Sequence, residues 1–206
     1  MALSLHINGV QLERGGRSLF PPLTVSTGAG TLLYVRGANG AGKTTLLRAL
    51  AGLASPSAGE VAWRHDGNPT TAAAATTFVG HANAMNDALS VIENLSYATS
   101  LAGQIYRPVF VGAALEQLGV FNLALRRVGT LSQGQRKRAS LARLLLRAQP
   151  GARAWLLDEP FVALDVDTQK MLEQLIAQEL KAGAIVVLTS HQDFAIDSAK
   201  TTEVLL

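Results

Sequence analysis

The stretch GANGAGKT, from Gly37 to Thr44, fits the phosphate-binding pattern GxxxxGK[ST] and decides the fold class. The apolar run Thr31 to Val35 before it predicts a buried strand, and leucines at helical spacing predict a helix from about Lys43 to Leu53. In this context the backbone N–H groups of the loop turn inward around a polyphosphate. Lys43 then places a positive charge on the outer oxygens, and Thr44 offers a hydroxyl to Mg²⁺. A plain strand-to-helix turn is the alternative that this context disfavours.

Carboxylates follow a second predicted strand. The apolar run Trp155 to Leu157 ends in Asp158 and Glu159, at the carboxyl end of the strand. There Asp158 can reach the Mg²⁺ that it shares with Thr44, and Glu159 is suited to polarise an attacking water. The alternative is a surface glutamate beside the turn at Pro160. The candidate nucleotide-binding residues of the first loop are Gly37, Ala38, Asn39, Gly40, Ala41, Gly42, Lys43, Thr44 and Thr45.

The segment LSQGQ, from Leu131 to Gln135, predicts a second anion site. Ser132 and Gln135 have the spacing of a capping box, so a helix is expected from residue 132, and the free N–H groups of its first turn attract anions. A plain helix cap is the alternative. A chain with two phosphate-binding helix starts is expected to use one of them on a nucleotide held by a second copy.

These motifs together resemble those of the ATP-binding subunits of ABC transporters, over essentially the whole chain. GANGAGKTT resembles the Walker A loop, LSQGQ the signature, LLDEP the Walker B strand, VALD the D-loop and TSH the switch that ends at His191. The resemblance implies an α/β, P-loop NTPase fold of the ABC ATPase type. Its parts are a RecA-like mixed-sheet core, a small antiparallel β layer and a helical subdomain.

The same resemblance implies a homodimer with ATP and Mg²⁺ as cofactors. ATP would lie between the Lys43 loop of one protomer and Ser132, Gly134 and Gln135 of the other. Binding would close the dimer, and hydrolysis would open it. His191 follows the apolar run Ala184 to Leu188, and by resemblance it contacts the terminal phosphate and orients the water with Glu159. A surface or core histidine without such a role is the alternative.

A narrower resemblance is to the ATPases of bacterial cytochrome c maturation systems. It is carried by ANGAGKTTLLRALAGL, VGH, ALSVIENL, LSQGQRKRASLARLLL and LLDEPFVALDVD. Most transporter ATPases have glutamine where His81 stands, and the maturation ATPases typically have the pair Gly80 and His81. His81 is thus a third catalytic candidate. Because only the neutral imidazole accepts a hydrogen bond from a metal-bound water, we expect activity to fall on acidification.

This narrower resemblance implies a peripheral protein on the cytoplasmic face of the bacterial inner membrane. Its partners would be integral membrane subunits, with haem involved only indirectly. Met85, Leu89 and Tyr97 are candidates for the contact with a membrane subunit, although core packing is the default explanation for each. ABC ATPases usually present an aromatic ring to the adenine where this chain has Arg14, and the sequence leaves open whether Arg14 stacks on the base.

Composition excludes several other classes. The chain has 206 residues, of which 48% are hydrophobic, so we expect one domain over residues 1–206. It has no cysteine, which excludes a disulfide framework, and no apolar run approaches the ~20 residues of a membrane span. The sequence does not open with a cleavable leader pattern. The net charge of +3 could indicate a nucleic-acid partner, but we expect none, because aromatic residues are only 5% of the chain. The basic residues Arg136, Lys137, Arg138, Arg143 and Arg147 are predicted to form the solvated face of the helix from Ser132.

The remaining pattern alternates strands and helices. Leu3 to Ile7 and Gly59 to Trp63 predict strands of the antiparallel layer, and residues 82–118 predict the start of the helical subdomain. A further helix is predicted from Asp167 to Ala182, ending before Gly183. The Ala/Thr-rich segment 70–77 fits either a loop or a weak helix.

Two alternative functions stay open on the sequence alone. One is an ATPase of another small ABC exporter, since the residues named above touch nucleotide and not cargo. The other is a soluble P-loop kinase, which the LSQGQ segment and the acid at Glu159 disfavour. ABC ATPases of DNA repair or translation normally have long inserts or paired cassettes, and this chain has neither.

Overall fold

The computed structural model of the chain describes residues 2–80, 83–101, 106–146, 154–191, 194, 196 and 200–206. The catalytic candidate His81 and the basic residue Arg147 lie outside the described residues. The chain forms two compact units. The first consists of Met1–Gly80, Gly151–Pro160 and Met171–Leu206, and the second of His81–Pro150 and Phe161–Lys170.

The strands of the described residues are all in the first unit. They are β1 (Leu3–Gln11), β2 (Glu13–Arg14), β3 (Arg17–Ser18), β4 (Leu23–Gly28), β5 (Leu32–Arg36), β6 (Ala58–His65), β7 (Asn68–Thr70), β8 (Thr76–Val79), β9 (Ala154–Asp158), β10 (Ile185–Thr189) and β11 (Thr201–Leu205). The helices are α1 (Lys43–Leu50), α2 (Ala72–Ala75), α3 (Val91–Leu101), α4 (Pro108–Gln117), α5 (Gln133–Leu141) and α6 (Val166–Lys181). Short 3-10 turns occupy Phe121–Leu123, Val128–Thr130 and Ala142–Leu145.

The core of the first unit is a five-stranded sheet of order β11-β5-β10-β9-β8. The resemblance implied a mixed sheet, but every neighbouring pair of these described strands is parallel. Strands β9 and β10 are buried along their whole length, as expected for parallel strands covered on both faces. In this register Thr189 lies beside Val35 on one side and beside Asp158 on the other. The carboxyl ends of three strands therefore meet at one edge of the sheet.

The antiparallel layer has the order β4-β1-β6-β7, and it contains both of the strands predicted from the sequence. The segment 70–77 is neither a loop nor one weak helix. It ends β7, forms the single turn α2 and enters β8, which pairs with β9 at the edge of the core sheet. The strand was missed because Thr76 and Thr77 owe their extended conformation to β9, far away in sequence.

Helix α1 begins at Lys43 as predicted, and Gly42 is its N-cap with a φ of 102°. The helix ends at Leu50 instead of Leu53, because the chain reverses through Gly52 in a left-handed conformation. The predicted leucines, Leu46, Leu47 and Leu50, are fully buried in the core of this unit. Helix α6 ends before Gly183, whose φ is +94°. At the ends of α1 and α6 the backbone adopts a positive φ, a conformation that glycine adopts without strain.

The second unit is helical, and the starts of its helices α3 and α5 are capped by side chains. The Ser90 backbone N–H donates to Glu93 Oε2 at 2.7 Å, and the Glu93 N–H donates to Ser90 Oγ at 3.3 Å. The hydroxyl and backbone N–H of Ser90 hold the pKa of Glu93 below its usual range. This capping box starts α3 and agrees with the spacing of the two residues in the sequence.

The predicted solvated basic face is wrong for Lys137 of α5 and for Arg143 of the 3-10 turn that follows it. Lys137 is only 4% exposed. The Arg143 guanidinium donates to the carbonyl oxygens of Asn83 at 3.0 Å and Ser140 at 3.3 Å, and burial lowers its pKa. The reason is that backbone carbonyl oxygens, which need hydrogen-bond donors, accept from the guanidinium in place of water. Within the described residues, no helix is both long and apolar enough to cross a bilayer.

Candidate functional site

The glycine-rich loop closes around the ammonium group of Lys43. Lys43 Nζ donates to the carbonyl oxygens of Gly37 at 2.7 Å and Ala38 at 3.1 Å, and the side chain is buried. A Cβ at Gly42 would lie 3.1 Å from Leu19, in addition to the strain of its positive φ. Position 42 therefore needs glycine, and the loop holds a positive charge at the start of α1, where the helix dipole also favours an anion.

A hydroxyl and a carboxylate face each other next to this loop. Thr44 Oγ1 donates to Asp158 Oδ2 at 2.8 Å. This bond joins α1, which carries Thr44, to the end of β9, which carries Asp158. Asp158 is 2% exposed, and its second oxygen, Oδ1, accepts from Thr189 Oγ1 at 2.9 Å. These contacts fix the orientation of both carboxylate oxygens.

Glu159 is held at the end of β9 by its backbone. Its φ is +48°, an unusual value for a residue with a side chain, and this type of strain often marks functional sites. Its N–H donates to Thr189 Oγ1 at 3.0 Å and to the Thr189 carbonyl at 3.2 Å. The carboxylate is 14% exposed, and Oε2 accepts from the His191 backbone N–H at 3.2 Å. The left-handed turn thus directs an acid to the edge of the sheet beside Asp158.

The imidazole of His191 lies between the other two charged groups. Its Nε2 is 3.2 Å from Lys43 Nζ and 3.5 Å from Glu159 Oε1, and the side chain is 48% exposed. An ammonium group has no acceptor, so the contact with Lys43 requires an unprotonated Nε2. A proton on Nε2 would instead favour Glu159. His191 can therefore exchange hydrogen-bond partners without moving far.

Thr189 is the site residue that motif reasoning did not assign. Its single buried hydroxyl donates to Asp158 and accepts from the Glu159 backbone. The parallel register of β9 and β10, which pairs Thr189 with Asp158, produces both contacts. The sequence did contain a signal for Thr189. Its hydroxyl follows directly after the apolar run Ala184 to Leu188.

The donor set suits Mg²⁺ only together with a nucleotide. Thr44 and Asp158 offer hard oxygen ligands, which Mg²⁺ prefers. Among the described residues, no group of three or more His, Cys, Asp or Glu side chains could hold a metal ion. Phosphate oxygens and water would complete the coordination of a Mg²⁺ ion bound by these two residues.

The LSQGQ segment forms its helix start in the second unit. Ser132 Oγ accepts from the Gln135 N–H at 3.2 Å, and Gln135 Oε1 accepts from the Ser132 N–H at 3.1 Å. A Cβ at Gly134 would lie 3.0 Å from the carbonyl oxygen of Ala163. Ser132 itself is exposed. The capping box is therefore present, and the side chain of Gln135 is engaged within it.

The D-loop also ends in a helix cap. Asp165 Oδ1 accepts from the Thr168 N–H at 2.8 Å at the start of α6. The hydroxyl of Thr168, followed by its backbone N–H, holds the pKa of Asp165 below its usual range. Asp165 is therefore ionised as a cap at neutral pH.

The structure brings most of the predicted site residues together at the carboxyl edge of the core sheet. These are the loop Gly37 to Thr45 with Asp158, Glu159 and His191. The predicted residues Ser132, Gly134 and Gln135 lie in the second unit. His81 falls outside the described residues.

Comparisons with known proteins identify the family. Residues 20–162 match the family described as ABC transporter. The cytochrome c biogenesis ATP-binding export protein CcmA of Cupriavidus necator is 41% identical over 192 residues, which are 91% of this chain and 82% of that protein. The chain belongs to the CcmA family of ABC transporter ATPases. CcmA of Pseudomonas aeruginosa is 40% identical over 206 residues and 98% of each chain. The family predicted from the sequence is therefore confirmed.

The fold is confirmed by a solved structure. A putative ABC transporter ATP-binding protein from Pyrococcus furiosus superposes with a TM-score of 0.78 at 25% identity, over 97% of this chain and 96% of that one. Membership of the CcmA family makes the protein a nucleotide-binding ATPase, and it implies dimerisation and membrane partners. It also sets aside the soluble kinase, which would transfer the phosphoryl group to a substrate other than water.

Proposed function

We propose that this CcmA-family ATPase drives the haem-handling step of c-type cytochrome biogenesis. It does so as a peripheral homodimer on the cytoplasmic face of the bacterial inner membrane, docked on integral membrane subunits. The names of its relatives, cytochrome c biogenesis ATP-binding export proteins, support this assignment. Haem enters only indirectly, because the site residues are suited to ATP and none is assigned to cargo. An ATPase of another small ABC exporter is the second candidate.

The residues of the loop hold the triphosphate in this proposal. The ammonium of Lys43 leaves the carbonyl oxygens of Gly37 and Ala38 and turns to the outer phosphate oxygens. Thr44 and Asp158, whose oxygens are 2.8 Å apart, would hold Mg²⁺ together with the phosphates. When bound, that ion neutralises the charge that develops on the phosphoryl oxygens.

Glu159 and His191 act on the attacking water. Glu159 orients the water and accepts its proton as the new P–O bond forms and the bond to the bridging oxygen of ADP breaks. His191 contacts the terminal phosphate with the same imidazole edge that faces Lys43 and Glu159. The observation that carries the proposal is the convergence of Lys43, Glu159 and His191 at one edge of the sheet.

The second copy completes the site. The N–H groups at the start of α5, together with Ser132 and Gly134, would bind the triphosphate held by the other protomer's loop. The exposure of Ser132 and the capping box that orders this helix start support the assignment. His81 remains a predicted contact to the attacking water, and Gln135 a predicted contact to the nucleotide.

Glu159→Gln tests the proposal. The amide retains the size of the side chain but cannot take the proton, so turnover should fall on the order of 10²- to 10⁴-fold while ATP binding is retained. Sedimentation with ATP should show the variant accumulating as dimers. Glu60→Gln, on the exposed side of β6, is the matched control and should hydrolyse ATP at the parental rate. Parental turnover by Glu159→Gln would remove Glu159 from its assigned role.

A further inference from the structure

Tyr34 ties the switch segment to the strand that leads into the phosphate loop. It lies on β5 beside Leu188 of β10, and its hydroxyl donates to the Ser190 carbonyl oxygen at 3.1 Å. That carbonyl belongs to the peptide bond that joins Ser190 to His191. Because β5 continues into Gly37, one strand both places the phosphate loop and restrains the backbone of the switch.

The ring of Tyr34 is held on two sides. The Phe194 ring stands edge-on to it, with 4.8 Å between centroids and 74° between planes. The Arg36 guanidinium lies 5.3 Å from the ring centroid and also pairs with Glu203 at 3.7 Å. These contacts do not involve the hydroxyl, so they keep the ring in place if the hydroxyl is removed.

The His191 side chain contacts groups that take new hydrogen-bond partners during the proposed reaction. Its Nε2 faces Lys43 Nζ and Glu159 Oε1, and both of these groups must turn to phosphate and water when ATP is bound. A cavity of about 550 Å³, lined among others by Tyr34, Ser190 and His191, borders this peptide, so packing does not fill the space beside it. The backbone therefore needs a tie that the reaction leaves unchanged.

We infer that Tyr34 is a positioning residue for ATP hydrolysis, which keeps the Ser190–His191 peptide aligned while the imidazole exchanges partners. The inference rests on the proposed role of His191. It predicts an effect on turnover and none on nucleotide binding, because the Tyr34 hydroxyl restrains the switch backbone at Ser190.

Tyr34→Phe tests the inference in the full-length protein. One hydrogen bond to the switch is lost, so kcat should fall about three- to tenfold, with KM for ATP unchanged and the melting temperature lowered by only about 2–4 °C. Tyr106→Phe removes a hydroxyl from a half-buried ring of the second unit and is the matched control at parental kcat. In a His191→Ala background, Tyr34→Phe should have no further effect on the residual rate, because both changes act through the same group.

The outcomes separate this inference from the proposed function. If His191→Ala hydrolyses ATP at the parental rate, the proposed role of His191 fails. If His191→Ala is impaired while Tyr34→Phe retains the parental kcat, only the role of Tyr34 is overturned. A Tyr34→Phe variant with a raised KM and a melting temperature lowered well beyond the effect of one hydrogen bond would show a structural residue and would also overturn the inference.

Discussion

A single hydroxyl, that of Thr189, serves both acids of the site. It donates to Asp158 Oδ1 at 2.9 Å and accepts from the Glu159 N–H at 3.0 Å, and the residue is fully buried. Without it, a buried carboxylate oxygen and a backbone donor would both lose a partner. The cost of leaving such groups unpaired is larger than the net gain from forming the bonds.

Thr189→Val should therefore reduce both stability and turnover. The substitution keeps the branched shape that suits a strand and removes only the hydroxyl. We expect the free energy of unfolding to fall by about 1–3 kcal/mol, and kcat to fall because Asp158 loses its fixed orientation. Urea unfolding and steady-state kinetics measure the two effects. Thr189→Ser keeps the hydroxyl and should restore most of the kcat; a Val variant with parental stability and rate would show that the hydroxyl is dispensable.

Sequence reasoning located the site residues that belong to a local motif. Lys43, Thr44, Asp158 and Glu159 each stand at a strand or helix end that the sequence predicts, and the structure places them there. It did not give a role to Thr189 or to Tyr34. Their contacts are made between strands, and a single sequence does not state which strands are neighbours or in what register.

At the scale of elements, the antiparallel layer depends on a close approach between β1 and β6. The register of this pair shifts between Asn8 and Gln11, and Gly59 lies opposite the shift with a φ of +76°. A Cβ at Gly59 would overlap the carbonyl groups of Asn8 and Gly9. Only glycine fits this bulge, for reasons of both conformation and space.

Gly59→Ala should therefore destabilise the protein by at least about 3 kcal/mol, the sum of left-handed strain and overpacking. Gly67→Ala is the matched control. Gly67 has a similar φ of +81°, but a Cβ there would meet nothing within 4 Å. The control should cost only about 1 kcal/mol from the conformation alone. Urea unfolding of both variants checks the difference, and equal losses would contradict a steric role for the β1–β6 contact.

Elements with a strong period or cap were predictable from the sequence, and elements set by tertiary contacts were not. The capping spacings of Ser90 with Glu93 and of Ser132 with Gln135 are formed as expected. Part of the predicted solvated basic face was misassigned, because periodicity cannot show that the Asn83 carbonyl accepts a hydrogen bond from Arg143. Strand β8 was missed for the related reason that its partner, β9, is distant in sequence.

At the scale of the whole molecule, family membership implies that two copies cooperate. The phosphate loop with its acids lies in one unit of the chain and the LSQGQ helix start in the other. In the proposed dimer, each nucleotide takes Lys43 from one copy and Ser132 from its partner. Two inactive variants can then restore ATPase activity when they are mixed. A site contained in one copy does not allow this.

The most direct test of this account is the ATPase rate of a mixture of Lys43→Ala and Ser132→Arg chains. Each variant alone should be inactive, since the first lacks the phosphate cation and the second places a bulky side chain at the partner's triphosphate. Mixed dimers contain one intact site, so activity should return on mixing. A chain with both substitutions, mixed with the Ser132→Arg chain, offers no complete site and should stay inactive. A mixture of the two single variants as inactive as either alone would contradict the shared site.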